Sequence, residues 1–90
     1  MALNVEVVAT DRTIWSGEAR AISAPAADGS IGIRPGHQPV LAVLRSGKVD
    51  ITPTGEDNLE LDVTGGFVSV DHDTVTIVID ETVESEMNSD

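Results

Sequence analysis

The sequence predicts an all-β fold, an antiparallel β-sandwich or flattened barrel of about ten short strands. Apolar residues recur with period two through most of the chain, and Gly, Pro and Asp/Asn turn signals return every six to ten residues. No segment keeps a helical period for more than a turn or two. Strands that are apolar on one side must hide that side, and packing a second sheet against it is the economical solution.

Residues 3–9 place Leu3, Val5, Val7 and Ala9 on one face of a first strand, with Asn4 and Glu6 opposite. Asp11-Arg12 turns into the short strand Thr13–Ser16, which Gly17 is expected to break. The extended pattern resumes over 18–24, and Pro25 marks an edge or an end. Residues 25–39 are too rich in Gly and Pro for a helix and hold one short extended unit, Ile31-Gly32-Ile33, between the turn signals Asp28-Gly29 and Pro35-Gly36. Val40–Leu44 is the one five-residue apolar run; bounded by Pro39 and Arg45, and containing two β-branched residues, it predicts a strand buried on both faces. Val49 and Ile51 alternate with polar neighbours after Ser46-Gly47. Leu59, Leu61 and Val63 form the cleanest half-buried strand, after a turn at Pro53–Asp57. Gly65-Gly66 leads into Phe67–Val70, and Asp71-His72-Asp73 turns the chain back into Thr74–Ile79. Residues 1–83 are expected to form the domain and 84–90 an acidic, disordered tail.

Composition excludes several classes of function. The chain of 90 residues has no Cys, hence no disulfide framework and no thiolate metal site, and a reducing compartment is expected. No stretch approaches the ~18 apolar residues of a membrane span, so membrane association is expected only through another protein. The net charge of -11 is concentrated in residues 49–90, which hold twelve acidic residues and no Lys or Arg. Phosphate backbones and anionic lipid demand the opposite sign, which argues against nucleic-acid binding and direct membrane insertion.

Candidate chemistry is sparse, and neither catalytic nor metal-binding nor cofactor-binding residues are assigned. His72 stands between two aspartates, but one tight turn supplies too few ligands for a metal; His37, in Pro-Gly-His-Gln-Pro, would need Ser or Asp beside it to act as a base. The glycines at 29, 32 and 36 lack the helix and Lys of a phosphate cradle. Trp15 suits either the core or an interface anchor. Val78 faces opposite Val75, Ile77 and Ile79, so in a two-layer fold it should be solvated; its apolar character suggests surface covered by a partner.

Gly29-Ser30-Ile31-Gly32-Ile33-Arg34-Pro35-Gly36-His37-Gln38-Pro39 resembles the segment G-x-x-G-I-x-P-G-H-x-P of the epsilon subunit of bacterial F-type ATP synthase. Trp15-Ser16-Gly17, Ser46-Gly47-Lys48-Val49 and Gly65-Gly66-Phe67-Val68-Ser69-Val70 resemble further elements of that family in the same order, and the opening segment is most similar to its actinobacterial branch. The resemblance covers residues 2–83 and implies the N-terminal ten-strand sandwich, a non-catalytic rotor part held by the gamma subunit and resting on the polar loops of the c-ring. It implies a peripheral position on the cytoplasmic side of the cell membrane, with no cofactor. It further implies that the segment Gly29 to His37 faces the ring and the foot of gamma. Ser30 stands where the family often has Glu, which alters the ionic contact expected with the ring; Arg34 offers another polar contact. Because the chain stops at Asp90, the C-terminal helical hairpin, with its inhibitory and ATP-sensing roles, is expected to be absent. A biotinyl or lipoyl carrier domain is the competing class, but Lys48, the sole lysine, follows Gly47 into a strand pattern rather than standing at a hairpin tip. A generic adhesion sandwich has only strand number in its favour.

Overall fold

A computed structural model describes residues 2–80. The expected tail over 84–90 lies outside the described residues. Within them the chain forms eight strands and no helix: β1 (Leu3–Val8), β2 (Thr13–Ala26), β3 (Gly29–Ile33), β4 (Val40–Leu44), β5 (Gly47–Pro53), β6 (Leu59–Val63), β7 (Gly66–Asp71) and β8 (Thr74–Ile79). The all-β sandwich follows the sequence pattern, with fewer and longer strands than the ten expected.

The difference lies mainly in β2, which runs through Gly17 without a break. Trp15 and Gly17 pair with Val7 and Val5 of β1, so both face the interior. The indole lies along the strand over Gly17, where a Cβ would stand 3.0 Å from the ring. Glycine here makes room for the chain's largest side chain, and the strand continues. Trp15 is thereby packed, half-buried, against the core.

β2 belongs to both layers. Its first half pairs antiparallel with β1; Ala19 pairs with both β1 and β5, the pairing with β5 continues past an irregularity between Ala19 and Ala21, and Ile22–Ala26 pair with β3. Ala26 then meets Leu44 of β4. One layer is therefore β4-β7-β8-β1 with the start of β2, and the other is β6-β5 with the end of β2 and β3. All pairings are antiparallel except β1 with β8, the first and last strands, which run parallel and close the first layer.

The period-two pattern places the core. Leu3, Val5 and Val7 of β1, Val68 and Val70 of β7, and Val75, Ile77 and Ile79 of β8 face Ile22, Ile33, Val49, Ile51, Leu61 and Val63 of the other layer. The core is wholly aliphatic, and among the described residues none that is polar or charged is buried. The shortest dimension of the molecule, 22 Å, suits two sheets about 10 Å apart with side chains on their outer faces.

Adjacent residues of β8 test this register. Ile77→Ala should lower the unfolding free energy by about 2–5 kcal/mol, because a fully buried Ile leaves a cavity. Val78→Ala, on the outer face, should cost under about 1 kcal/mol. Urea unfolding of the two variants checks the contrast.

Candidate partner-binding surface

The outer faces of the two layers differ in chemistry. On the first layer, cross-strand register lines up Val8 of β1 with Val78 of β8, Val78 with Phe67 of β7, and Phe67 with Val43 of β4. Leu41 lies two residues from Val43 on the same face. Side chains directly opposite one another in a sheet stand about 4.5–5.5 Å apart at Cβ, so this is a contiguous apolar row. It is also open: Leu41, Val43 and Phe67 are 70%, 64% and 42% exposed. In the next register rank Leu41 stands beside polar residues, Ser69, Thr76 and Glu6, and beyond it Asn4 and Thr74 are polar.

The expectation that 40–44 is buried on both faces is therefore corrected. Leu44 is buried and Val40 and Ala42 pack against the core, while Leu41 and Val43 point outward. A two-layer fold has a single interior, and among the described residues nothing covers the second face of β4. Phe67, which sequence reasoning did not single out, belongs to the same row. Its position follows from Gly66: at φ +138° a Cβ would strike the Val78 carbonyl, so only glycine lets β7 approach β8 this closely just before Phe67.

On the second layer the outer face is acidic. Lys48 of β5 lies 3.7 Å from both Glu60 and Asp62 of β6, and Asp50 stands opposite Glu60. Lys48 thus lies within a strand, braced between carboxylates, and does not present the hairpin-tip lysine of a carrier domain.

The segment expected to form one docking loop is divided. Gly29, Ser30, Ile31, Gly32 and Ile33 are strand β3, paired with Ala26, Pro25, Ala24, Ser23 and Ile22. Ile33 is fully buried and belongs to the core, so it offers no surface; Ser30 and Gly32 are exposed, and Gly29 and Ile31 half-buried. At the Gly29 end, the turn over Ala27 and Asp28 is tied to β4, since the Ala27 N–H donates to the Val43 carbonyl at 3.0 Å. This hairpin therefore adjoins the apolar row. At the Ile33 end, Arg34, Pro35, Gly36 and His37 make a separate turn, with the His37 N–H donating to the Arg34 carbonyl at 3.0 Å. The two ends of β3 stand roughly 15 Å apart at the usual rise per residue.

The histidines are accounted for locally. His37 Nδ1 lies 2.7 Å from the Gln38 carbonyl, and His72 Nδ1 lies 2.8 Å from Asp71, both near the surface. Asp73 turns its carboxylate to the Gly36 N–H instead of toward His72. The described residues contain no group of three or more His, Cys, Asp or Glu that could hold a metal ion.

The family model for the β-sandwich domain of the ATP synthase delta/epsilon chain matches residues 2–85. The chain belongs to this family. It is 52% identical over 75 residues to the ATP synthase epsilon chain of Micrococcus luteus, covering 83% of this chain and 82% of that one. Against the epsilon chain of Rhodococcus erythropolis it is 46% identical over 77 residues, covering 84% and 63%. It thus spans less than two thirds of the Rhodococcus relative. The fold is similar to a chain of the Euglena gracilis mitochondrial ATP synthase assembly OSCP/F1/c-ring, with a TM-score of 0.85 at 20% identity over 98% of this chain and 60% of that one. It is also similar to a chain of the Tetrahymena thermophila mitochondrial ATP synthase central stalk and c-ring, with a TM-score of 0.79 at 23% identity over 91% and 66%.

An epsilon chain is a non-catalytic subunit of the central stalk. Two of the segments that carry the resemblance have physical content. Trp15-Ser16-Gly17 is a strand segment in which glycine receives the indole, and Gly65-Gly66-Phe67 sets the close approach that starts the apolar row. Because that row is outside the core, replacing its most exposed members with β-branched polar residues should leave the fold intact. Leu41→Thr with Val43→Thr is expected to shift unfolding free energy by no more than about 1 kcal/mol. It should also lower binding of a hydrophobic dye; differential scanning calorimetry and dye fluorescence check both.

Proposed function

We propose that this epsilon-family chain couples c-ring rotation to the gamma subunit, with gamma seated on the outer face of β4, β7, β8 and β1. The observation that carries this reading is the difference between the two outer faces: one has the apolar row Val43, Phe67, Val78 and Val8 with exposed Leu41 beside it, the other is acidic. A stable interface needs a desolvated apolar centre with a polar rim. The first face has both, since the row is flanked by Glu6, Thr76 and Ser69 and by the turns at either end of β3.

In this reading the β2–β3 hairpin, with Gly29 and the exposed Ser30, rests on the polar loops of the c-ring. The Arg34–His37 turn, which leads directly into β4, forms the rim against gamma. Ile31 and Gly32 lie between these contacts, and Trp15 supports the sheet from within. Coupling demands stiffness, because compliance between the two contacts would dissipate torque. β3 joins both contacts and is laid along β2 through five successive residue pairs, so the contacts are held by one continuous sheet. The described residues include no helix long and apolar enough to cross a membrane. In this reading attachment to the cytoplasmic side of the membrane is peripheral, through the ring.

Placing a charge in the centre of the row tests the assignment. Phe67→Asp or Val43→Asp should weaken binding to purified gamma at least about 100-fold, since the carboxylate would be desolvated without a partner. Asp50→Asn with Glu60→Gln, on the acidic face, should change binding less than about 2-fold, as expected for exposed charges. Titration calorimetry measures both; equal effects from the two faces would refute the assignment.

A further inference from the structure

Two features at one end of the first layer meet in a single side chain. The β7–β8 connection has two residues, His72 and Asp73, between the paired Asp71 and Thr74. Both take positive φ, 51° and 63°, the conformation of the mirror-image turn that matches strand twist and ordinarily calls for Asn-Gly. Glycine would be the unstrained occupant of the second position, and Asp73 stands there instead.

The carboxylate explains what is gained. Asp73 Oδ1 accepts a hydrogen bond at 2.7 Å from the N–H of Gly36, 37 residues away in the chain. The Asp73 carbonyl also accepts from the N–H of Asn4 at 2.8 Å, which fixes the connection to the start of β1. Gly36 is the third residue of the Arg34–His37 turn, with φ +89° after a proline. With the His37 N–H bonded to the Arg34 carbonyl, this is a type II turn.

In such a turn the central peptide, Pro35 to Gly36, can rotate as a unit to give the type I form while the outer hydrogen bond persists. The direction of the Gly36 N–H distinguishes the two. By accepting from it, Asp73 holds the type II form, and because the peptide is planar and trans, the Pro35 carbonyl points away from Asp73.

We propose that Asp73 is the positioning residue of the rotor-docking turn. Its carboxylate locks the Pro35–Gly36 peptide so that the Pro35 carbonyl and His37 meet gamma in a preset arrangement. This inference rests on the proposed docking of that turn. Preorganisation of this kind raises affinity by removing an ordering cost that binding would otherwise bear.

The strain at Asp73 makes the test decisive, because one substitution moves stability and binding in opposite directions. Asp73→Gly relaxes the connection and removes the carboxylate, whereas Asp73→Asn retains an acceptor oxygen and tolerates the backbone conformation. The full chain and its variants are compared by thermal unfolding, by NMR amide exchange at Gly36, and by affinity for a rotor of gamma and c-ring lacking this subunit. Asp73→Gly should keep or raise the unfolding midpoint, lose the slow exchange at Gly36, and bind the rotor roughly 5–10-fold more weakly. Asp73→Asn should resemble the parent chain in binding. His37→Glu, made directly in the turn, separates the two claims. If it weakens binding while Asp73→Gly does not, the positioning role is overturned. If neither has an effect, the docking of the turn falls and this inference falls with it, while the apolar-row assignment stands on its own test.

Discussion

The fold depends on one strand taking part in both layers. β2 pairs with β1, β5, β3 and β4, and without it no strand pairing would join the two layers. Fourteen residues of extended chain can do this only if the strand bends where it changes partner. The register shift between Ala19 and Ala21 stands where the partners change, a bulge of the kind that bends a strand, and the extra residue, Arg20, is exposed. A strand shared by two layers makes them one elastic body. A part that transmits torque between two partners needs that property more than it needs a large core.

A second constraint follows from having two layers and no third. Each layer has one face that can be hidden internally, and the aliphatic residues of alternating positions fill that interior without any buried polar group among the described residues. Apolar side chains on the outer faces then have nowhere to go inside the domain. They are not scattered: register gathers Val8, Val78, Phe67 and Val43 into one row on one layer, and the other layer carries the carboxylates of β5 and β6. The division of chemistry between faces makes the two sides of a small domain chemically distinct.

Much of this was legible in the residue order. Leu59, Leu61 and Val63 alternated cleanly and do line the core; Val75, Ile77 and Ile79 share one face, as their spacing required, and Val78 the other. The errors had identifiable physical causes. Gly17 reads as a strand breaker because glycine usually weakens a strand, but here it receives the Trp15 ring. Val40–Leu44 reads as buried on both sides because apolar character does not state which neighbour removes it from water. Within Gly29–His37 only Ile31–Ile33 reads as extended, because Gly29 and Ser30 carry no strand pattern of their own and take theirs from β2, earlier in the chain. Phe67 was passed over because a lone aromatic after a Gly-Gly pair carries no sign of which side of the sheet it will take.

Taken alone, the sequence determined the class of fold, the aliphatic nature of the core, the paucity of catalytic groups and the likeness to a family. These depend on composition, on the two-residue period of a strand and on local motifs, all of which are properties of neighbours in the chain. Tertiary structure alone decided that Val8, Val78, Phe67 and Val43 form one row, that the two ends of β3 lead into separate turns, and that Asp73 reaches Gly36. Those facts depend on strand order and register, including the parallel pairing of the first strand with the last. Register is set by how all the apolar faces share one interior at once, and no local pattern encodes that.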